Sequence, residues 1–245
     1  MRVLIGIGAS IIAVAVGSFA FSTMPSDQDI ASFGTPLDGR SHSQRHNSLL
    51  ALSRLKGAKI KPGEVFSFNR RVGTFSQDQG YRRAPVSYNG QLISDWGGGV
   101  CQTSTTLYNA ALLAGMQIVE RHRHRFAPSY VQPGRDAAVA YSNIDLRFRN
   151  PYPFPVRIDG SLEGDVLVIS IIGTRSIPVK PQIVSQVRQE QNYQTFRFGN
   201  PNGEAHVRNS GKDGCEVAVY RMTGDQRELI SMDTYPAMNR VVQYR

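Results

Sequence analysis

Residues 97–108 read Gly97-Gly98-Gly99-Val100-Cys101-Gln102-Thr103-Ser104-Thr105-Thr106-Leu107-Tyr108, and the mostly apolar run from Asn109 to Met116 follows at once. Glycines take backbone conformations that other residues avoid and let the main chain approach a neighbour closely. The Pro-free, Ala- and Leu-rich segment behind them predicts a helix from Cys101 to Met116, with Gly115 near its end. Its second half is apolar all round, so the helix is expected to be buried at the centre of a domain. Cys101 then falls in the first turn, where unpaired N–H groups and the helix dipole stabilise a thiolate. The same amides, with the Gln102 backbone or side chain, are candidate donors to an oxyanion, and Gly97, Gly98 and Gly99 are candidate ligand contacts. A lone cysteine at a helix start is more often a small buried hydrophobe. The glycines before it and the polar run after it favour a nucleophile.

Working outward, His42 to Leu55 carries Leu49, Leu50, Leu52 and Leu55 at helical spacing, with Gly57 as the stop. Val65–Phe68 alternates as a short strand after a Lys61–Glu64 turn, and Val86 to Trp96 reads as a hairpin about Asn89-Gly90. Beyond the central helix, Ile118–Arg121 predicts a strand leading into His122-Arg123-His124-Arg125. Further strands are expected at Ala137–Tyr141, Ile144–Arg149, Val156–Ile158 and Val166–Ile172. The expected class is α+β: a mainly antiparallel sheet packed on a central buried helix that starts at the GGGVCQ motif, with a small β-rich C-terminal extension. Residues 1–24 lack charge from Val3 to Met24 and carry Ser18-Phe19-Ala20, the pattern of a signal peptide or an N-terminal membrane anchor. Either one places the rest of the chain outside the cytoplasm. A linker is expected over 25–41 (Pro25, Gly34, Pro36, Gly39), a domain over 42–174, a basic Gln-rich linker over 175–195 and the extension over 196–245.

With 245 residues, 40% hydrophobic and 19% charged, the chain is an ordered, loop-rich globule rather than a disordered, collagen-like or coiled-coil one. Its net charge of +9 suits a polyanion such as nucleic acid, anionic lipid or an acidic cell wall. Nucleic acid is not expected, because no helix-turn-helix, finger or RNA-recognition signature accompanies the charge. Cys101 and Cys215 are too few for a disulfide framework, although a single bridge between them stays open. A cysteine nucleophile needs a base from elsewhere in the fold, and His122 and His124 are at hand, His124 oriented by Asp136 or Asp145. Cys101, His122, His124 and Asp136 could instead ligate zinc, but no metal-motif spacing supports this and no metal is expected. Arg121, Arg123 and Arg125 form a solvated basic edge or a clamp for substrate carboxylates.

Arg45-x-Asn47, Pro62-Gly63-Glu64-x-Phe66-Ser67-Phe68-Asn69, Val72-Gly73, Gly80-Tyr81 and GGGVCQTSTTLY resemble the VanW domain family in order and spacing. The match runs on through Val119-Glu120-Arg121, His124, Tyr130-Val131 and Gly134-Arg135-Asp136-Ala137, over about residues 43–173. The family is associated with glycopeptide-resistance gene clusters, and some members are understood to be peptidoglycan L,D-transpeptidases whose nucleophile is the cysteine of the GGGxCQ motif. Carried over, this implies Cys101 as nucleophile, His124 as base and Asp136 as an orienting or binding group. Tyr130 and Arg135 then join Gly97, Gly98, Gly99, Gln102 and Arg121 as substrate-binding candidates, and no cofactor is implied. His122 lies outside the pattern, and Arg125 replaces a small polar residue. The resemblance implies an exported cell-envelope enzyme acting on peptidoglycan stem peptides, with His124 first taking and later returning a proton. The rival is a non-enzymatic peptidoglycan- or glycopeptide-binding accessory protein. A Cys101 sulfur within hydrogen-bond reach of a His124 nitrogen, in an open cleft, separates the two.

Overall fold

The computed structural model describes residues 27–88, 91–141 and 143–245. The expected signal or anchor over 1–24 and the Asn89-Gly90 turn lie outside these residues. Among the described residues no helix is long and apolar enough to cross a membrane.

The chain opens with β1 (Gln28–Pro36), α1 (His42–Leu55), β2 (Lys59–Ile60), β3 (Val65–Ser67) and the single-turn α2 (Phe68–Val72). The hairpin β4 (Arg83–Tyr88) and β5 (Gln91–Trp96) leads through the glycines into α3 (Val100–Leu113), then β6 (Gln117–Glu120). A long, mostly irregular segment precedes β7 (Arg147–Arg149), β8 (Val156–Glu163) and β9 (Val166–Gly173). The extension comprises β10 (Gln182–Gln191), β11 (Thr195–Gly199), β12 (Ala205–Asn209), β13 (Gly214–Thr223), β14 (Gln226–Tyr235) and β15 (Arg240–Tyr244).

Strands β1, β9, β8 and β2 form an antiparallel sheet in that order, and β3, β7 and β6 a smaller one. Along β9, Leu167, Ile169 and Ile171 point inward at the two-residue period of a half-buried strand. Helices α1 and α3 cover that face, and Leu107, Leu112, Leu55 and Ile158 meet in one core. Each such buried side chain contributes about 1.5–3 kcal/mol. α1 starts on a capping box in which Ser41 Oγ accepts from Gln44 N at 3.2 Å and Gln44 Oε1 from Ser41 N at 3.0 Å. In the extension, β10-β13-β14 is antiparallel, whereas β15 pairs in parallel with β11 and antiparallel with β12.

Three expectations need correction. Residues 28–36, expected as linker, are strand β1. It is an edge strand paired with β9 alone; Ala31, Phe33 and Thr35 turn inward between Ser32, Gly34 and Pro36, but the small Ala31 and polar Thr35 on the inner face hide the alternation. Residues 182–191, also expected as linker, are strand β10, another edge strand and largely exposed, which is why its sequence is polar. Residues 137–141 were expected as a strand and make only isolated bridges, His122 with Ala138 and Ala140 with Ile144. The main chain of Ala137 is satisfied by side chains of α3 instead.

Candidate active site

The polar run Gln102–Thr106 at the start of α3 is fully buried, and its side chains bond to irregular main chain. Ser104 Oγ donates to Ala137 O at 2.6 Å, Thr105 Oγ1 accepts from Ala137 N at 3.0 Å, and Asn109 Nδ2 donates to Arg135 O at 2.7 Å. Buried main-chain groups must find partners, and here the helix supplies them side chain by side chain. The segment carrying Asp136 and Val139 is thereby fixed against Cys101.

The glycines serve the other flank. A Cβ on Gly98 would lie 2.7 Å from the Pro85 carbonyl and 2.9 Å from Ala84 Cβ, so only glycine lets α3 start against β4. Gly99 has φ +110° and is clasped from α1, where Ser48 Oγ donates to its carbonyl at 2.9 Å. Asn47 Nδ2 donates to the carbonyls of both Gly98 and Arg82, each at 2.9 Å. The three glycines therefore join protein to protein, and they also line a cleft of about 310 Å³ that holds Cys101 and His124.

Cys101 is partly exposed at this cleft, its Sγ 3.4 Å from the carbonyl of Val139. Asp136, fully buried, accepts from His124 Nδ1 at 2.6 Å and from the His124 N–H at 2.7 Å through one oxygen. Its other oxygen accepts from Arg121 Nη2 at 2.9 Å and from the Tyr235 hydroxyl at 2.5 Å. With Nδ1 held by a carboxylate, Nε2 is the ring atom left for Cys101, which lines the same cleft.

Burial alone would push the Cys101 thiol up, but its hydrogen bond to His124 and the imidazolium charge outweigh burial and bring it down. Burial would lower His124, yet the bonds to Asp136 and Cys101 raise it to about 10. Asp136 is held down at about 2, because His124 and the Arg121 guanidinium overcome its desolvation. Both shifts favour a thiolate–imidazolium pair braced by the buried carboxylate.

Other candidate residues are placed as follows. Tyr130 lines the cleft, its hydroxyl 3.4 Å from the Cys101 carbonyl. Gln102 lines it too, but its side-chain amide donates to Thr35 Oγ1 at 3.1 Å and Pro36 O at 2.6 Å, and its N–H to Gly99 O at 3.0 Å. It has no donor left for an oxyanion. The Cys101 N–H has no main-chain acceptor among the described residues. Arg121 is buried behind Asp136, not on a solvated edge. Arg135 is buried with its Nε on Asn109 Oδ1 at 2.5 Å and its guanidinium over Phe33, away from the cleft. His122 pairs with Glu120 at 3.0 Å, and Asp145 with Ser67 Oγ at 2.6 Å and Asn69 N at 2.9 Å, so neither joins Cys101. Among the described residues no cluster of His, Cys, Asp or Glu could hold a metal ion. Both cysteines are free thiols.

Three contributors from the extension and one from the β1–α1 turn carry no local sequence signal. Tyr235 touches Asp136, Asp233 Oδ2 pairs with Arg121 Nη1 at 2.6 Å, and Met238 and Arg40 line the cleft. Arg121 thus stands between two carboxylates. In Asp233→Asn its charge is no longer balanced, and the added positive field favours thiolate while disfavouring imidazolium. Both limbs of the pH profile of Cys101 alkylation by iodoacetamide are expected to move down, by on the order of one pH unit. A profile with unmoved limbs would show that Asp233 is only structural.

A strand-rich protein with a Cys–His–Asp chain at a helix N-terminus is the class that fold and site define. Residues 43–172 match the VanW-like protein family, and the chain belongs to that family. It is 36% identical over 174 residues to the uncharacterized protein YoaR of Bacillus subtilis (strain 168), covering 68% of this chain and 57% of that one. It is 32% identical over 147 residues to the vancomycin B-type resistance protein VanW of Enterococcus faecalis (strain ATCC 700802 / V583), covering 58% of this chain and 52% of that one. The chain thus spans little more than half the length of these curated relatives. A solved G5 domain of an IgA1 protease covers 26% of this chain and 90% of its own at 24% identity, with a TM-score of 0.18.

Proposed function

We propose that this protein is an exported cell-envelope cysteine acyltransferase of the L,D-transpeptidase kind, acting on peptidoglycan stem peptides. The observation that carries the reading is one cleft shared by Cys101 and His124, with His124 bonded behind to buried Asp136. The Cys101 thiolate would attack the carbonyl carbon after the third, diamino-acid residue, forming a C–S bond. The oxyanion would be met by the Cys101 N–H and the positive end of α3. As the C–N bond breaks, the leaving amine of the terminal D-residue takes the proton from His124, leaving a thioester and a neutral imidazole. An amine from a second stem then attacks the thioester and gives its proton to His124, and the C–S bond breaks to restore the ion pair. Water in place of the amine gives carboxypeptidase activity. The charge of +9 suits a carboxylate-rich wall.

The test is to incubate the chain from residue 25 onward with disaccharide-tetrapeptide, alongside Cys101→Ala, and read protein and products by mass spectrometry. A thioester on Cys101 with cross-linked dimer or tripeptide, both absent in the variant, is the expected result. A folded protein that binds the muropeptide and leaves it intact would assign the cleft to binding instead.

A further inference from the structure

Arg40 is the cleft side chain that the proposed reaction leaves without a task. It precedes the N-cap of α1 and lies outside the family match over 43–172. Its guanidinium sits over the Tyr130 ring, 5.1 Å from the centroid, and Tyr130 in turn touches the Cys101 carbonyl. The Arg40 Nε is buried and has no hydrogen-bond partner. Buried donors are normally satisfied, so an unmet one on a side chain that lines a cleft calls for an acceptor from outside. Among the described residues no Asp or Glu lines this cleft, and the charged groups around the nucleophile are Arg40, His124 and Arg125. A guanidinium held over an aromatic ring presents the planar fork that matches a carboxylate, at little further ordering cost.

We infer that Arg40 forms a carboxylate subsite beside Cys101, so that the cleft selects ligands carrying a free carboxylate next to the reacting carbon. The inference deepens the acyl-transfer reading of this cleft and rests on it. In a stem peptide the carboxylate has two sources, the C-terminus of the leaving D-residue and the side chain of the diamino acid.

The test uses the full chain and two small electrophiles, iodoacetate and iodoacetamide, with Cys101 modification read by peptide mass spectrometry. In both, the thiolate forms a C–S bond and iodide leaves, so the carboxylate is the difference between them. Iodoacetate is expected to react faster in the parent, and Arg40→Gln to lower the iodoacetate-to-iodoacetamide rate ratio about tenfold, the size of one charge-assisted hydrogen bond. Arg40→Lys, which keeps the charge and loses the fork, should fall between, and Arg125→Gln should lower the ratio less than Arg40→Gln. A ratio unchanged in Arg40→Gln overturns the subsite. The parent alone gives a second reading. N-acetyl-D-alanine should protect Cys101 from iodoacetamide and N-acetyl-D-alaninamide should not; equal protection by the two overturns the subsite. Tetrapeptides amidated at one carboxylate or the other identify the source, as the one whose amidation raises KM. Intact muropeptide alongside normal iodoacetate selectivity would sink the acyl-transfer reading while supporting the subsite.

Discussion

In Asp136→Asn, alkylation of Cys101 at pH 6.5 is expected to fall toward that of an ordinary thiol, which is about 1% ionised there. Asp136 is the hub through which His124 keeps its proton and its orientation. An Asn cannot accept from His124 and Arg121 through both of its heavy atoms, and it removes the charge that stabilises imidazolium. The same change breaks one of the two ion pairs of Arg121, which is buried with 6% of its side chain exposed, and leaves it Asp233 alone. Breaking one partner of a buried ion pair costs about 3–5 kcal/mol, so the urea midpoint should drop sharply. The loss has a pH signature with a definite sign. A carboxyl whose folded pKa is depressed stabilises the fold above its ordinary value and loses that contribution as pH falls through the folded value. With Asp136 at about 2 against an ordinary 3.8, the gap between parent and variant should be full above about pH 4 and narrow toward pH 2. A gap that widens on acidification would refute this account.

Gly99→Ala is expected to cost about 3 kcal/mol and to silence Cys101 together with it. About 1–2 kcal/mol comes from forcing an L side chain to positive φ, and about 1–3 from overpacking. The new Cβ would meet the Gln44 carbonyl and lie 2.9 Å from Ser48 Oγ, both on α1, so relief requires α3 to move and Cys101 with it. Gly164→Ala isolates the first contribution. That glycine has φ +59° with nothing within 4 Å of its would-be Cβ, so the variant should lose about 1 kcal/mol and keep its thiolate. Thermal melts and the absorbance of the thiolate near 240 nm check both variants. Equal losses in the two would mean that the α1 contact does not matter.

What could be read from residues alone followed from how local the signal was. α1 runs His42–Leu55 as its leucine spacing predicts, and the central helix begins at Val100, one residue before Cys101. β1 was hidden because its inner face carries Ala31 and Thr35 rather than large apolar residues, and β10 because it is an edge strand with little burial. The Asp136 segment was misread because its partners are Ser104 and Thr105, polar side chains that ordinarily signal solvent rather than a scaffold for a loop. Local reading proposed His122 or His124, and Asp136 or Asp145. Only the tertiary arrangement sends His122 to Glu120 and Asp145 to Ser67 while His124 meets Asp136. Arg40, Asp233 and Tyr235 reach the site from distant stretches whose own neighbours say nothing about it.

The bond from Tyr235 to Asp136 spans 99 residues of chain. Ala127, which lies beside the cleft, shares a small apolar cluster with Val217 and Tyr235 of the extension. The surroundings of the nucleophile are therefore finished only when the last strands have docked. A truncated or half-folded chain carries an ordinary, sluggish thiol, and reactivity toward electrophiles becomes a mark of completion: the protein arms itself last.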